Sequence, residues 1–272
     1  MEEMLSLNYD PFSVFAGSST PVGLYARKRW LAEDSKSWER DFADTVKRLY
    51  EGQCEDGSWN GSIIESVRRL FGLHLTVRSA NPSIERGLDW LAGLMKAKSG
   101  IQRACRNERP GLKALRGLPF ATGGLFHLVM GSGLFLSTIF GRENSPFILE
   151  CYAALEKRGV KDCGGWGGLA SSNNILRAFV VHPEYSRKDA VLAAVKALAG
   201  LQKPEGSWPR PISLHQAVNA LAHLDSSKAD FILEKALRYL ANHQNSDGTW
   251  GREDREWKTF LTVHAMKRKG LL

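Results

Sequence analysis

A short motif, Q-x-x-x-G-[ST]-W, recurs along the 272-residue chain and limits its possible folds more than any other feature of the sequence. The complete copies lie at 53–59, 202–208 and 244–250, and a degenerate copy without the glutamine lies at 163–166. The last three tryptophans, Trp166, Trp208 and Trp250, follow one another at a constant spacing of 42 residues. A constant period of this length is typical of folds built from stacked supersecondary units.

Helix-like segments flank the motif. The segments 84–95, 189–201 and 229–243 carry apolar residues at helical spacing, and 212–224 forms a similar run after a motif. No segment shows sustained alternation of apolar and polar residues, so strands are not predicted. Each unit is therefore predicted to be a helix, a glycine-containing turn and a second helix.

The residue types of the motif suit a structural role. Glycine permits the left-handed backbone that ends a helix. Tryptophan covers the turn while its indole N–H donates to a backbone carbonyl, and glutamine offers both a donor and an acceptor. We therefore predict that the motif fastens adjacent helix pairs together and takes no part in chemistry.

These repeats resemble the QW motifs of squalene and oxidosqualene cyclases, in the terpene cyclase and protein prenyltransferase superfamily. The resemblance is strong over 160–272 and local around 53–73. It implies an all-α fold, an α/α toroid (α/α barrel) of about five to six helix pairs, with inner helices around a central cavity. Residues 41–272 are predicted to form the toroid domain and residues 1–40 an N-terminal extension.

The catalytic motifs of that superfamily are missing. The chain has no DxDD, the acidic motif with which class II cyclases protonate their substrates. Of the three zinc ligands of the prenyltransferases, only the histidine has a counterpart here, His215. Asp162-Cys163 does not match the aspartate and cysteine ligands, because it precedes its turn instead of following it. We therefore predict no metal and no cofactor. Histidines also recur near the ends of the predicted inner helices, and either a metal-binding ring or helix capping would explain them: His74, His182, His223 and His264.

Alignment of the repeats on their tryptophans produces a polar stripe. Asn173 and His215 lie seven residues after tryptophan, and Arg177 and Asn219 lie eleven after it. Residues four apart share a helix face, so the stripe faces either the cavity or a solvent-filled barrel mouth. The predicted catalytic residues are Arg177, for contact with a diphosphate, and His215, for acid/base work. The predicted ligand-binding residues are Asn173, Asn174, Gln216, Asn219, Trp257 and Phe179.

This stripe argues against the cyclisation of a pure hydrocarbon, because a carbocation needs an apolar, aromatic cavity without water. A ligand with an anionic end and a hydrocarbon chain, such as a prenyl diphosphate, suits both the polar and the aromatic residues. We therefore expect an isoprenoid-binding, terpene cyclase- or prenyltransferase-like protein, with catalysis left open. The alternative is a non-catalytic toroid that acts as a binding or scaffold protein for a protein or membrane partner.

The net charge of +8 is concentrated in one region. Residues 96–117 carry an excess of six positive charges, and 118–141 contain no charged residue. A buried helix pair is favoured for 118–141, and a peripheral membrane contact through 96–141 is the alternative. No nucleic-acid motif accompanies the charge, so a nucleic-acid partner is not expected. Four scattered cysteines and no secretory signal predict a cytoplasmic protein, with membrane association left open.

Overall fold

The computed structural model describes residues 6–97, 115–120 and 124–272. These ranges contain eleven α-helices and no strand. The helices are α1 (Pro21–Arg29), α2 (Lys36–Tyr50), α3 (Ile63–Thr76), α4 (Pro82–Lys96), α5 (Leu125–Ile139), α6 (Pro146–Lys161), α7 (Leu169–Val181), α8 (Asp189–Leu201), α9 (Leu214–Leu221), α10 (Ser227–Asn242) and α11 (Arg255–Arg268).

The helices form two concentric rings. The inner ring contains α1, α3, α5, α7, α9 and α11, each packed against the next, and α1 packs against α11 to close it. The outer helices α2, α4, α6, α8 and α10 cover the inner ones from outside. The prediction of an all-α α/α toroid is therefore confirmed, with five outer and six inner helices in the described ranges.

Local sequence signals explain where several of these helices begin. Thr20 caps α1 by accepting a hydrogen bond from the Gly23 N–H, and Pro21 opens the helix. Ser62 caps α3 in the same way, through the N–H of Glu65. The Asn81 side chain accepts from two backbone N–H groups at the start of α4. These caps satisfy donors that have no partner within the helix.

Three of the four motif tryptophans tie their turn to the outer helix before it, whereas the indole N–H of Trp59 has no hydrogen-bond partner. The indole N–H of Trp208 donates to the carbonyl of Leu198 in α8 at 2.8 Å. Trp250 makes the equivalent bond to the Leu240 carbonyl in α10 at 2.7 Å. Trp166, in the degenerate copy, also bonds a carbonyl of the preceding outer helix. The predicted hydrogen bond from tryptophan to backbone is therefore confirmed in these three turns.

The motif glutamine and glycine tie the same turn to the next outer helix. Gln202 Nε2 donates to the carbonyl of Gly206 within the motif and to that of Ile232 in α10. Gly206 has a φ of +103° and approaches the backbone of Lys235 so closely that no Cβ would fit. Gln53 makes the same pair of bonds in the first motif, to the carbonyls of Gly57 and of Ser83 in α4. The motif therefore joins consecutive helix pairs, as its residue types predicted.

The last motif closes the ring on the N-terminal segment. Gln244 Nε2 donates to the Gly248 carbonyl and to the Tyr9 carbonyl, each at 2.9 Å, and Gln244 Oε1 accepts from the Tyr9 N–H. Gly248 packs against the Asp10 carbonyl in the way Gly206 packs against α10. Residues 9–10 thus take the place that an outer helix occupies at the other motifs. The division of the chain at residue 40 stays a prediction, and α1 from the predicted extension belongs to the inner ring.

Within the uncharged stretch 118–141, the described residues 118–120 and 124–141 contain one helix, where a buried pair was predicted. Helix α5 is buried along most of its length because α3, α4, α6 and α7 surround it. Before it, Leu118 and Phe120 are buried in an irregular segment. Central packing therefore accounts for the apolar run. No described helix is both long and apolar enough to cross a membrane. Most of the basic stretch lies outside the described residues: Lys98, Arg103, Arg106, Arg109 and Lys113.

Candidate functional site

The predicted polar stripe lies inside the ring. Arg177 of α7 donates from Nη1 to Asn219 Oδ1 of α9 at 2.7 Å, and from Nη2 to the Gln216 carbonyl at 3.3 Å. Asn219 Nδ2 lies 3.1 Å from the Leu261 carbonyl and 3.2 Å from His264 Nδ1, both in α11. Arg177 and Asn219 are only 4% and 3% exposed. The stripe therefore connects three inner helices and does not line an open mouth.

Arg177 is a buried cation without a counter-charge among the described residues. No carboxylate forms an ion pair with it there, and its Nε has no hydrogen-bond partner. Desolvation lowers its pKa to about 10, so the guanidinium is still charged at neutral pH. Asn173 Nδ2, one turn earlier on the same helix, and Gln216 Oε1 are also buried without a partner. Unpaired buried polar groups are costly, so these three atoms lack the compensation that hydrogen-bond partners would provide.

A cavity of about 600 Å³ lies next to this cluster, at the end of the ring where α9 and α11 begin. We call it the ring cavity. Three of the predicted site residues, His215, Gln216 and Trp257, line it together. Its apolar wall includes Phe120 and Leu261, and its other lining residues include Ile212, Asp254 and Lys258. The ring cavity is thus amphipathic. Arg177 does not line it, but its guanidinium donates to the backbone carbonyl of Gln216, which does.

His215 is held neutral in this cavity. Its Nδ1 lies 3.0 Å from Thr262 Oγ1, a contact in which either atom is the donor, depending on the imidazole tautomer. Burial, and secondarily the charge of Lys258, lowers the pKa of His215 to about 3. At neutral pH the imidazole is therefore uncharged, and its ring nitrogens are available only for hydrogen bonds.

Four of the predicted ligand-binding residues do not line the ring cavity, and neither does Arg177: Asn173, Asn174, Phe179 and Asn219. Phe179 packs against Tyr152 and Trp166, with ring centroids 5.2 and 5.4 Å away, between α6 and α7. It lies two residues after Arg177, which rotates it about 200° around the helix, away from the ring cavity. Asn174 is buried where α7 crosses Gly131 of α5. Neither residue lines the ring cavity.

The histidines near the ends of the inner helices do not converge on one point. The rings of His223 and His264 stack with centroids 5.6 Å apart, whereas His74 packs against phenylalanines. His182 accepts hydrogen bonds at Nδ1 from the N–H groups of Glu184 and Tyr185. No group of three or more potential metal ligands occurs among the described residues. His182 therefore caps the turn that follows α7.

Sequence reasoning missed a second cavity, of about 640 Å³, where α1, α2, α3 and α11 meet. We call it the arginine pocket. Its lining includes Arg48, Arg68, Arg69, Arg116, Arg255, Val22, Leu49, Phe71, Leu75 and Trp257. One sequence signal pointed to it. Arg68 and Arg69 follow the motif tryptophan by nine and ten residues, positions that are apolar in the repeats of Trp166 and Trp208.

The carboxyl groups of the described residues provide no obvious proton donor. Where their pKa values shift, they shift downward, because hydroxyl, backbone or cationic partners stabilise the charged form. The affected residues are Glu33, Asp34, Asp41, Asp56, Glu205 and Asp247. A carboxyl that protonates an alkene must instead be held in its acid form at neutral pH.

The buried histidines predict a particular pH dependence of stability. Burial lowers the pKa of His74 and His215 to about 3 and that of His264 to about 4. Because their pKa in the unfolded chain is about 6.5, unfolding binds protons, and stability falls as the pH drops below that value. Each histidine contributes a slope of up to about 1.4 kcal/mol per pH unit. Urea unfolding between pH 7.5 and 5 should show this loss.

The variant His215→Gln should reduce the slope of unfolding free energy against pH by the contribution of one histidine, up to about 1.4 kcal/mol per pH unit. His243→Gln, at an exposed position just after α10, is the matched control. Equal slopes in the two variants would contradict the assignment. The window above pH 5 keeps carboxyl titration small, since carboxyl groups in unfolded chains titrate near pH 4.

Comparison with known proteins identifies the fold and no closer relationship. No family model and no curated protein matches the sequence. A solved protein from Actinoplanes is 15% identical, with a TM-score of 0.57 over 94% of this chain and 90% of that one. The apo type II terpene cyclase MstE from Scytonema is 11% identical, with a TM-score of 0.59 over 93% and 88%. A variant of MstE in complex with its substrate geranylgeranyl dihydroxybenzoate is 12% identical, with a TM-score of 0.57 over 93% and 87%. The chain therefore has a terpene cyclase-like fold.

Proposed function

We propose that this protein binds an isoprenoid with an anionic head in the ring cavity. The observation that carries the proposal is Arg177, a buried cation without a carboxylate partner, next to an amphipathic cavity. A bound anion in the adjacent cavity would supply a counter-charge for the buried guanidinium, since charges interact strongly away from water. The similar fold of MstE, solved with a geranylgeranyl substrate, supports an isoprenoid as the ligand class.

The ring cavity suits such a ligand in size and lining. A volume of about 600 Å³ falls within the range of small-molecule sites. The hydrocarbon chain would lie against Trp257, Phe120 and Leu261, and the head would lie at Gln216, close to Arg177. Neutral His215 would form a hydrogen bond with the ligand. In this arrangement Arg177 would act on the anionic head through its charge and not by direct contact, and His215 would orient the ligand.

Binding, or transfer of a prenyl group, fits this site better than cyclisation started by a proton. A carbocation formed in the ring cavity would be repelled by the nearby guanidinium of Arg177, since charges interact strongly away from water. The downward-shifted carboxyl groups described above also lack the acid form that such a reaction requires. We therefore place ligand binding first and leave cyclisation out of the proposal.

Calorimetric titration with farnesyl and geranylgeranyl diphosphate tests the proposal. The double variant Arg177→Ala/His215→Ala should weaken binding about 10- to 100-fold, because hydrogen bonds to charged groups contribute about 1.5–3 kcal/mol each. Arg187→Ala removes an exposed arginine outside both cavities and should bind as the wild type does. A wild-type protein that binds neither diphosphate would contradict the proposal and favour the scaffold alternative. Unchanged affinity in the double variant would remove Arg177 and His215 from the site.

A further inference from the structure

The arginine pocket is a separate cavity with its own chemistry. It lies at the junction of the first and last inner helices, and the outer helix α2 contributes Thr45, Arg48 and Leu49 to its wall. Its volume of about 640 Å³ is large enough for a small molecule. It shares Arg116, Gly117, Asp254 and Trp257 with the ring cavity, so these residues form the partition between the two.

The inner part of the pocket is apolar. Leu49, Phe71 and Leu75 are buried and line its wall together with Val22 and Trp257. These side chains come from four helices, so the apolar surface surrounds the space on several sides instead of forming one flat patch. A hydrocarbon chain is the kind of group that such a surface removes from water favourably.

The rim of the pocket carries an excess of positive charge. Five arginines line it against three carboxylates, Glu65, Asp254 and Glu256. Glu65 pairs with Arg69 at 2.6 Å, and Asp254 pairs with Arg116 at 3.6 Å. Glu256 accepts hydrogen bonds from the hydroxyl groups of Ser18 and Thr20. Two carboxylates just outside the lining offset this excess, since Asp247 pairs with Arg255 and Glu253 pairs with Arg116. Arg68 also lies near Glu65, so Arg48 is the lining arginine that forms no ion pair with a described residue.

Arg48 and Arg69 retain free donors. Arg48 forms no ion pair in the described structure, and its Nη2 donates only to Thr45 Oγ1. Its Nε and Nη1 are therefore available. Arg69 uses Nε for Glu65 and Nη1 for the Arg48 carbonyl, which brings the two arginines together and leaves its Nη2 available. Planar guanidinium groups with several free N–H donors match the oxygens of a phosphate.

We infer that the arginine pocket is a second ligand site, for a single-chain amphiphile with a phosphate head. The phosphate lies on Arg48 and Arg69, and the chain lies along Leu49, Phe71 and Leu75. A lysophospholipid and a prenyl phosphate share this chemistry. The inference is independent of the proposed function, because neither Arg177 nor His215 lines this pocket.

Calorimetric titration of the full chain with dodecyl phosphate, below its micelle concentration, tests the inference. The wild type should bind it, and should bind dodecanol or inorganic phosphate at least about tenfold more weakly, since each lacks one half of the recognised structure. Arg48→Glu should weaken binding about 10- to 100-fold and the neutral Arg48→Gln by less, whereas Arg48→Lys should retain more affinity than either. Arg187→Glu, an exposed charge reversal outside the pocket, is the control and should change nothing.

Two further arms separate this site from the ring cavity and identify the ligand source. Arg177→Ala should leave dodecyl phosphate binding intact, and its loss in that variant would overturn the assignment to this pocket. Equal affinity in Arg48→Glu and the wild type, or no binding by the wild type, would also overturn it. Titration with farnesyl monophosphate and with oleoyl lysophosphatidate then shows which chain is preferred. The probe that binds more tightly identifies the natural ligand class as a prenyl phosphate or a lysophospholipid.

Discussion

Replacement of Trp250 by alanine should lower the free energy of unfolding by about 3–5 kcal/mol, the usual cost of removing a fully buried large aromatic side chain. Trp250 is 1% exposed and packs in the turn between α10 and α11. Its indole N–H donates to the Leu240 carbonyl, so the substitution also leaves that buried acceptor without its donor. Denaturation with guanidinium chloride at pH 7.5, followed by far-UV circular dichroism, measures the loss.

A pair of conservative variants separates packing from hydrogen bonding. Trp250→Phe removes an indole N–H that is bonded, whereas Trp59→Phe removes one that has no partner. The first should therefore cost about 1 kcal/mol more than the second. Phe231→Ala, at a side chain that is 61% exposed, should change stability by less than about 0.5 kcal/mol. A loss below 1 kcal/mol in Trp250→Ala would show that the motif does not hold the helix pairs together.

The variant Arg177→Met should weaken binding much more than stability. Methionine has a similar length and no charge, so the cost of burying the guanidinium disappears. Asn219 Oδ1 and the Gln216 carbonyl lose their donor at the same time, so the two effects offset each other and the free energy of unfolding should change by less than about 1 kcal/mol. The affinity for farnesyl diphosphate should fall about 10- to 100-fold, because the ligand loses its counter-charge. Denaturation and calorimetric titration on the same sample measure the two effects.

Arg177→Lys is the matched control for this experiment. Lysine keeps the charge but loses the planar arrangement of donors that reaches both Asn219 and Gln216. It should retain part of the affinity and show no gain in stability. A marked loss of stability in Arg177→Met would instead indicate that Arg177 is a structural residue of the inner ring.

The repeat architecture was predictable because its signals are local. The 42-residue spacing, the glycine turns and the capping residues all lie within short segments, and the predicted helix at 189–201 coincides with α8. Helix α9 covers 214–221, whereas a helix over 212–224 was predicted. It ends earlier because the residues after it form the tighter i→i+3 hydrogen bonds of a turn, such as His223 N–H to the Ala220 carbonyl. Local pattern indicates that a helix exists more reliably than where it ends.

The candidate site was predictable only where helical periodicity determines it. The stripe of Arg177 and Asn219 follows from residues that share a helix face, and the structure joins the two across neighbouring helices. Phe179 was chosen for its aromatic character, and its angular position on α7 directs it outward. The arginine pocket requires α1, α2, α3 and α11 to meet, and no segment of the sequence contains that information.

The closure of the ring has a consequence for how the chain folds. The hydrogen bonds that complete it join Tyr9 to Gln244 and Thr20 to Glu256, across 235 and 236 residues. Contacts between such distant residues form slowly, since a very long loop must close first. During synthesis α1 emerges well before α11, so it must wait for its partner while all the helices between them are made. The other inner contacts join helices much closer in sequence, so the seam at α1 and α11 is the contact that waits longest.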